Sequence, residues 1–261
     1  MRKIFLTLTL ILFMVSQVHA FDPLLIFSGS VVAGGETSLP CTGSNTFIGS
    51  PGNWESFEYG ADDFCNSDIS ILDTDGIINT QDSAWAKCGS SSVSIAYTAM
   101  EADNYILVDL GVTPDTAYRV VFYFKISAEI SDWTLVRFFH IGNGPASFDG
   151  ANMNLELKRA GYNMRLQATP GDVQNGETLS ANTVYRIEID FVKNDTTTIT
   201  IFDSVDSQVG TDITVTAGDN TGRYMTLGPI YGNNQTQTLY FDAFQYHGSG
   251  AADLGPVDCS P

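Results

Sequence analysis

Apolar and polar side chains alternate with a period of two residues in one short run after another, from about residue 91 onward. In YRVVFYFKI (residues 118–126) one face is apolar, whereas the other carries Arg119, Tyr123 and Lys125. Successive side chains of a β-strand point to opposite faces, so this period is typical of a strand with one buried face. The pattern predicts an all-β fold, an antiparallel sandwich of two packed sheets.

Similar runs follow, separated by turns that are rich in Gly, Asn, Asp and Pro. They are TLVRFFHI (134–141), MNLELK (153–158), YNMRLQ (162–167), YRIEIDF (185–191), TTITIF (197–202), DITVT (212–216), RYMTLG (223–228) and LYFDAFQY (239–246). We find no amphipathic helix pattern after residue 20 and no repeat of fixed length. A chain of this length predicts one large β domain.

The N-terminus has the composition of a secretory signal peptide. Arg2 and Lys3 precede a mainly apolar stretch (residues 4–15). A short polar patch follows and ends in Val-His-Ala, with the small residue Ala20 at the cleavage position. This arrangement predicts cleavage after Ala20. The apolar stretch is short for a membrane span of about 20 residues, although an uncleaved anchor is the alternative. We therefore expect an exported protein, secreted, periplasmic or extracellular, with no membrane span in residues 21–261.

Composition divides the exported part into three segments. Residues 21–53 are rich in Gly, Ser and Thr, which predicts a loosely structured leader, with an edge strand at residues 24–27 as one option. We expect the β-sandwich domain to span residues 54–248 and a C-terminal tail to occupy residues 249–261.

The charge balance restricts the partners. The chain holds 30 Asp and Glu against 12 Lys and Arg, a formal charge of −18, and removal of residues 1–20 with their two basic residues changes it to −20. Such a surface repels polyphosphates, so we exclude nucleic acid as a partner. Strong acidity also suits an exported protein that meets divalent cations.

The cysteines predict disulfides. Cys41, Cys65, Cys88 and Cys259 are an even number in a part of the chain that we expect to be exported. Three pairings are possible, of which we favour Cys65–Cys88, closing a local loop, with Cys41–Cys259 joining the ends of the domain. Structural zinc is disfavoured, because the cysteines have no C-x-x-C spacing and only two histidines follow residue 20.

Phrases from SFEYG (56–60) and SSSVSIAY (90–97), through the runs above, to MTLGPIYG (225–232) and LYFDAFQYH (239–247) carry a family resemblance. Their order resembles the concanavalin A-like lectin/glucanase superfamily, the laminin-G-like jelly rolls of secreted bacterial proteins. The resemblance covers about residues 54–248 and implies a jelly-roll sandwich. The galactose-binding-like jelly rolls of carbohydrate-binding modules share similar opening and closing phrases and are the alternative fold.

The resemblance also implies a structural calcium ion. In many such jelly rolls an acidic residue in the first strand and one in the last strand lie side by side and hold the ion, and the matching positions here are Glu58 and Asp242. Calcium takes six to eight oxygen ligands, which two carboxylates and backbone carbonyls can supply. Alternatively, Asp242 accepts hydrogen bonds from amides or faces solvent. The acidic stretch DTDG (73–76) copies only the start of a calcium loop, so we expect an ordinary turn there.

The glucanases of this superfamily carry three acids on one strand, in the order Glu-x-Asp-x-(x)-Glu. The most similar phrase here contains Glu188 and Asp190, but Val192 or Lys193 stands where the third acid would fall. The catalytic set is incomplete, so we interpret the two acids as outward positions of a sheet.

Lyases of the same fold use a Tyr, often with a His or Gln, and Arg or Lys to neutralise an acidic sugar. His140, Arg137, Tyr162 and Arg165 are suitable residue types. They do not form the lyase phrases, since RFFHIG is not Gln-x-His and YNMRLQ is not Tyr-Phe-Lys-Ala-Gly. We expect Tyr162 to lie in the core and His140 to be a structural histidine with satisfied hydrogen bonds.

Sugar binding requires less than catalysis, because ring stacking and side-chain hydrogen bonds suffice. The candidate ligand-binding residues on polar faces and in one loop are Arg119, Tyr123, Lys125, Trp133, Arg165 and Gln167. For each of them the alternative is the ordinary solvated side of a sheet. We expect a non-catalytic protein that binds a polysaccharide or cell-surface glycan or mediates surface adhesion. The alternatives are a polysaccharide-degrading enzyme of the same fold and an envelope protein without glycan specificity.

Overall fold

A computed structural model describes twelve segments of the chain. They are residues 53–55, 69–73, 76–87, 90–97, 104–111, 117–132, 134–144, 153–159, 164–169, 177–216, 222–232 and 236–248. The predicted signal peptide, the leader up to residue 52 and the tail lie outside them, as do the four cysteines, Glu58, Trp133 and Tyr162. All of the regular secondary structure in these segments is β-strand. The described part contains no helix that could cross a membrane.

One sheet has eight strands. Across it the order is β13 (Ile213–Thr216), β12 (Thr196–Phe202), β11 (Tyr185–Val192), β6 (Ala117–Ile126), β15 (Gln237–Gly248), β4 (Ser92–Tyr97) and β3 (Ile78–Asp82), while β1 (Asn53–Glu55) also pairs with β15.

The other sheet has seven strands. Their order is β10 (Thr178–Leu179), β9 (Met164–Thr169), β8 (Met153–Arg159), β7 (Thr134–Gly142), β14 (Tyr224–Gly232), β5 (Asn104–Asp109) and β2 (Ile69–Asp73). Every recorded pairing in both sheets is antiparallel. The predicted two-sheet antiparallel sandwich is therefore confirmed.

The core lies between the sheets and is centred on phenylalanines. Phe122 of β6 stacks on Phe139 of β7 at 5.2 Å between ring centroids, and Phe124 stacks on Phe138 at 4.4 Å. Phe241 of β15 lies 5.6 Å from Phe124. All five rings are at most 1% exposed, so buried aromatic contacts hold the centres of the two sheets together.

Strand β15 is shared between several partners. One edge of β15 pairs with β6 from Leu239 to Gly248. The other edge pairs first with β4 and then with β1. The change of partner coincides with a bulge after Asp242, where Ala243 has a φ of 49°. The chain's first and last described strands are thus neighbours, as the calcium prediction requires.

Glycine is needed where β14 approaches β5. Gly228 has a φ of 143°, and a Cβ there would lie 2.9 Å from the backbone oxygen of Asn104 and 3.1 Å from the Cα of Tyr105. A side chain would force the two strands apart. The irregular stretch that begins here shifts the register of β14 before Tyr231.

Strand β5 and the start of β14 are also joined by an ion pair at the sandwich surface. Arg223 donates from Nε and Nη2 to the two carboxylate oxygens of Asp109, at 3.0 and 2.8 Å. The hydrogen bond from Arg223 holds the pKa of Asp109 below its ordinary value, with help from the Gly111 N–H. A lowered pKa in the folded state stabilises the fold above the pKa of the unfolded chain, and this contribution is lost as pH falls through the folded pKa.

We expect Arg223→Gln to raise the acid titration midpoint of Asp109 towards its ordinary value. The unfolding midpoint at neutral pH should change little, because both side chains are about a third or more exposed and solvent screens the pair. Carboxyl-carbon NMR titration of wild type and variant measures the shift. An unchanged Asp109 midpoint in the variant would contradict this assignment.

Candidate functional site

The outer face of the seven-stranded sheet carries a line of polar side chains at right angles to the strands. Tyr231 of β14 lies opposite Arg137 of β7, which lies opposite Glu156 of β8, which lies opposite Gln167 of β9. We call these four residues the polar row. The side chains of these strands that face the core are apolar, so the row is the outward half of the predicted alternation.

An ion pair forms the centre of the polar row. Arg137 donates from Nε to Glu156 Oε1, and the Glu156 side chain is only 5% exposed, against 22% for Arg137. The guanidinium also lies over the ring of Tyr231, 4.9 Å from its centroid. Tyr231 is 39% exposed. The row therefore runs from an exposed ring to a buried carboxylate.

Gln167 is the last residue of the polar row, and its side-chain oxygen lacks a hydrogen-bond donor within the described segments. The residue is 8% exposed, and its Oε1 has no hydrogen-bond partner among the described residues. A buried amide oxygen without a donor costs about 1–3 kcal/mol. An ordered water or a ligand can supply the missing donor.

A β-bulge places Arg137 in this row. Arg137 pairs with Glu156 and Phe139 pairs with Leu155, so Phe138 is an extra residue on β7. Both phenylalanines then face the core, while Arg137 and His140 face outward. Strict alternation along TLVRFFHI would have put Arg137 and Phe139 on one face. The adjacent phenylalanines were the signal from which the bulge could have been predicted.

His140 lies on the same face and is fully buried. Its Nε2 is 3.0 Å from the Gly144 carbonyl, to which it donates, and its Nδ1 is 2.9 Å from Asn154 Oδ1. Because both ring nitrogens are hydrogen bonded, the ring joins β7 to β8 and to the following turn. The prediction of a structural, satisfied histidine is confirmed.

The predicted ligand-binding residues divide between the two sheets. Arg165 and Gln167 lie on the outer face of the seven-stranded sheet, whereas Arg119, Tyr123 and Lys125 lie on the outer face of the eight-stranded sheet. The structure does not bring these two groups together into one site. The sixth candidate, Trp133, is outside the described segments.

Residues 83–87, which we call the covering segment, lie over part of the eight-stranded sheet. Lys87 Nζ is 4.9 Å from the centroid of the Tyr123 ring, and Tyr123 is only 1% exposed. Tyr123, predicted as a ligand-binding residue on an open polar face, is instead buried because the covering segment packs on it. Lys125 lies over the rings of Tyr240 and Trp85, at 4.9 and 5.9 Å. Burial, and then Asp82, raise the pKa of Tyr240.

Asp242 is fully buried beneath the covering segment. Its Oδ2 accepts the backbone N–H of Lys87, and its Oδ1 accepts that of Ala243 at 2.7 Å. Hydrogen bonds from amides, the alternative to calcium that the sequence left open, are therefore present. Within the described segments no group of three or more His, Cys, Asp or Glu could hold a metal ion. Glu58, the other predicted ligand, lies outside them.

A groove of about 190 Å³ crosses the eight-stranded sheet on its outer face. Glu188 and Asp190, the incomplete glucanase phrase, both line it. Glu188 is paired with Arg186, and Asp190 lies 3.7 Å from Arg119. The two acids occupy outward positions of the sheet, as the sequence predicted.

No protein-family model matches this chain, and no curated protein matches it. The chain is similar to the solved structure of the botulinum neurotoxin serotype D binding domain, with 11% identity and a TM-score of 0.49 over 77% of this chain and 48% of that one. It is also similar to the cellulose induced protein Cip1, with 14% identity and a TM-score of 0.48 over 75% and 97% of the two chains.

A third similar structure is a protein of unknown function from Shewanella oneidensis MR-1, with 15% identity and a TM-score of 0.48 over 77% and 88% of the two chains. The chain spans less than half the length of the toxin domains that it matches.

We expect Arg137→Met to destabilise the protein by about 2–4 kcal/mol, because it leaves the buried Glu156 carboxylate without its guanidinium. Adding Glu156→Gln should recover much of that loss by removing the uncompensated charge. The matched control is Arg119→Met, whose partner Asp190 is 52% exposed, and it should cost less than about 1 kcal/mol. Urea unfolding measures all three variants. Equal losses for Arg137→Met and Arg119→Met would contradict the assigned role of the Arg137 pair.

Proposed function

We propose that this protein binds glycans on the polar row and does not cleave them. We also propose that it is an exported member of the concanavalin A-like superfamily, with a polysaccharide or cell-surface glycan as its partner. The main support is that the exposed Tyr231 ring lies in one row with Arg137, Glu156 and the Gln167 oxygen that lacks a hydrogen-bond donor.

The chemistry of the row matches that of a sugar. A pyranose ring offers an apolar face of C–H groups and a rim of hydroxyls, which suit an aromatic ring beside hydrogen-bonding side chains. Tyr231 supplies the ring, while Glu156 and Gln167 supply acceptors for sugar hydroxyls. Arg137 orients both Tyr231 and Glu156, so the site is organised before a ligand arrives.

The same contacts support binding without catalysis. Hydrolysis of a glycosidic bond ordinarily uses two carboxylates that flank the bond. The polar row has one, Glu156, which Arg137 engages. The nearby His140 is fully buried, and both of its ring nitrogens have hydrogen-bond partners within the protein.

The second candidate function is polysaccharide hydrolysis at the groove of Glu188 and Asp190. Residues two apart on a strand face the same way and are separated by about 6.8 Å along it, which is near the carboxylate spacing of inverting glycosidases. The ion pairs with Arg186 and Arg119 favour the binding proposal instead, because a general acid must donate a proton. Release of reducing ends or of unsaturated sugars from polysaccharides would support an enzyme.

Export and disulfides belong to the same proposal. A signal peptide at residues 1–20 would place the protein where glycans of other cells and matrices are met. The disulfides Cys65–Cys88 and Cys41–Cys259 would form in that compartment. A surface-adhesion role would use the same polar row.

We propose in addition that Asp242 and Glu58 hold a structural calcium ion. Asp242 fits in part, since it is a buried carboxylate, the ligand type that calcium prefers. Pairing of β1 with β15 supports the proposal, because Glu58 follows β1 by three residues. Bound calcium would neutralise the two carboxylates and join the first and last strands.

We expect Ca²⁺ to raise the melting temperature of chelator-treated protein by several degrees, as ligand concentrations near 100 times Kd add about 2.7 kcal/mol. Asp242→Asn should abolish the response, whereas Asp190→Asn, an exposed acid on the same sheet, should retain it. Differential scanning calorimetry with Ca²⁺ and with chelator makes the comparison. A wild-type protein indifferent to both additions would refute the calcium site.

We expect Tyr231→Ala to weaken binding of the best ligand on a polysaccharide and glycan array by at least about tenfold, since aromatic contacts contribute about 1–3 kcal/mol. Val205→Ala is the control, because Val205 is 75% exposed and lies outside the polar row. Titration calorimetry with the array hit gives the affinities. Binding that survives Tyr231→Ala and Gln167→Leu unchanged would locate the glycan elsewhere and overturn the proposal.

A further inference from the structure

Two cations face each other beside the polar row. Lys158 of β8 and Arg165 of β9 are register partners on the outer face of the seven-stranded sheet. Directly opposite residues on neighbouring strands have Cβ atoms about 4.5–5.5 Å apart, and like charges there repel. Their other cross-strand neighbours are Leu135 and Thr178, so no acid interrupts this line. We call Lys158 and Arg165 the basic pair.

The basic pair is unlike the other cations of the described segments. Each of the others contacts an acid, an aromatic ring or another partner; they are Lys87, Arg119, Lys125, Arg137, Arg159, Arg186, Lys193 and Arg223. Neither Lys158 nor Arg165 has an ion pair, side-chain hydrogen bond or ring contact with any residue of the described part. In a chain with 30 acids and 12 basic residues, two adjacent unneutralised cations are unexpected.

Acids that could neutralise the pair are engaged elsewhere. Glu156, two residues before Lys158, is bound by Arg137. Glu177, next to Thr178, accepts hydrogen bonds from the backbone N–H and hydroxyl of Thr211, at 3.0 and 3.3 Å. Within the described strands, two like charges thus lie opposite each other while Glu156 and Glu177 are held by other groups.

The unsatisfied oxygen of Gln167 adjoins the same pair. Gln167 follows Arg165 by two residues on β9, so the two side chains share the outer face. An anion would neutralise the two cations, and a hydrogen-bond donor would satisfy the buried carbonyl oxygen. A sugar that carries both an acidic group and hydroxyls satisfies both requirements with one residue.

We propose that the glycan bound here is anionic, with a carboxylate or sulfate group held by Lys158 and Arg165 and a hydroxyl donated to Gln167 Oε1. This inference rests on the glycan-binding function proposed above and specifies its ligand class. Arg165 supplies a planar fork for the anion and Lys158 supplies a point charge. The anion would also relieve the repulsion between the two side chains.

Matched polysaccharides test the charge requirement directly. Dextran, dextran sulfate and carboxymethyl dextran share one backbone, and polygalacturonate with its methyl ester supplies a second uncharged and charged comparison. Affinities are measured by titration for wild type, for Lys158→Gln/Arg165→Gln and for Arg119→Gln/Lys193→Gln. The last variant removes two positive charges from the other sheet and from the turn after β11, and so controls for net charge.

Wild type should bind at least one charged polymer roughly tenfold or more tightly than its uncharged counterpart, and only Lys158→Gln/Arg165→Gln should remove that difference. The sulfated and carboxylated arms identify which anion is preferred. Melting temperatures verify folding, and Lys158→Gln/Arg165→Gln should melt no lower than wild type because a repulsion is removed.

Three results would overturn the inference. One is equal loss of charged-polymer binding in both double variants, which indicates general electrostatics. Another is Tyr231-dependent binding of uncharged glycans with no preference for charge, which leaves the proposed glycan-binding function intact. The third is binding to no glycan in this panel or on the wider array, which removes that function together with the inference.

Discussion

The fold depends on burying apolar side chains between the two sheets, with a layer of phenylalanine rings at the centre of the contact. Phe122 and Phe124 from β6 stack on Phe139 and Phe138 from β7, and each sheet contributes its central strands to the contact. Aromatic rings bury more apolar area than any other side chains and prefer defined orientations, so they fix how the sheets lie against each other. Both phenylalanines of β7 can reach this layer only because the strand bulges at Phe138. The packing of the core therefore determines that Arg137 points outward.

The outward face reflects a different requirement. A stable sheet would have opposite charges across its strands and a donor for every buried oxygen. The Arg137–Glu156 pair meets the first condition. The basic pair does not meet it, and the Gln167 oxygen does not meet the second condition. Proteins tolerate such local costs where a ligand removes them. On the proposed function, this contrast between neighbouring lines of residues is the mark of the binding surface.

Sequence patterning predicted β6, β8, β9 and β11, because their inward and outward residues alternate without interruption, but it did not predict β2, β3 and β5. It could not predict the partners of a given residue, since register across a sheet depends on bulges and strand order. Gln167 was identified as a candidate from its position on a polar face. Its neighbour Glu156 was not, and Arg137 was considered only as a lyase residue type, because the three are separated by whole strands and loops. Tyr123 was misplaced for a related reason. Alternation predicts which way a side chain points, and gives no indication that residues 83–87 cover it.

The position of β15 has a consequence for how the molecule is made. This strand lies between β6 and β4 and also receives β1, yet it is the last described strand to leave the ribosome. Until it is synthesised, the edges of β4 and β6 that it will occupy are open to unwanted pairing. Contacts between residues so far apart in the chain also form slowly. A nascent chain of this protein therefore cannot complete the eight-stranded sheet until β15 has been synthesised.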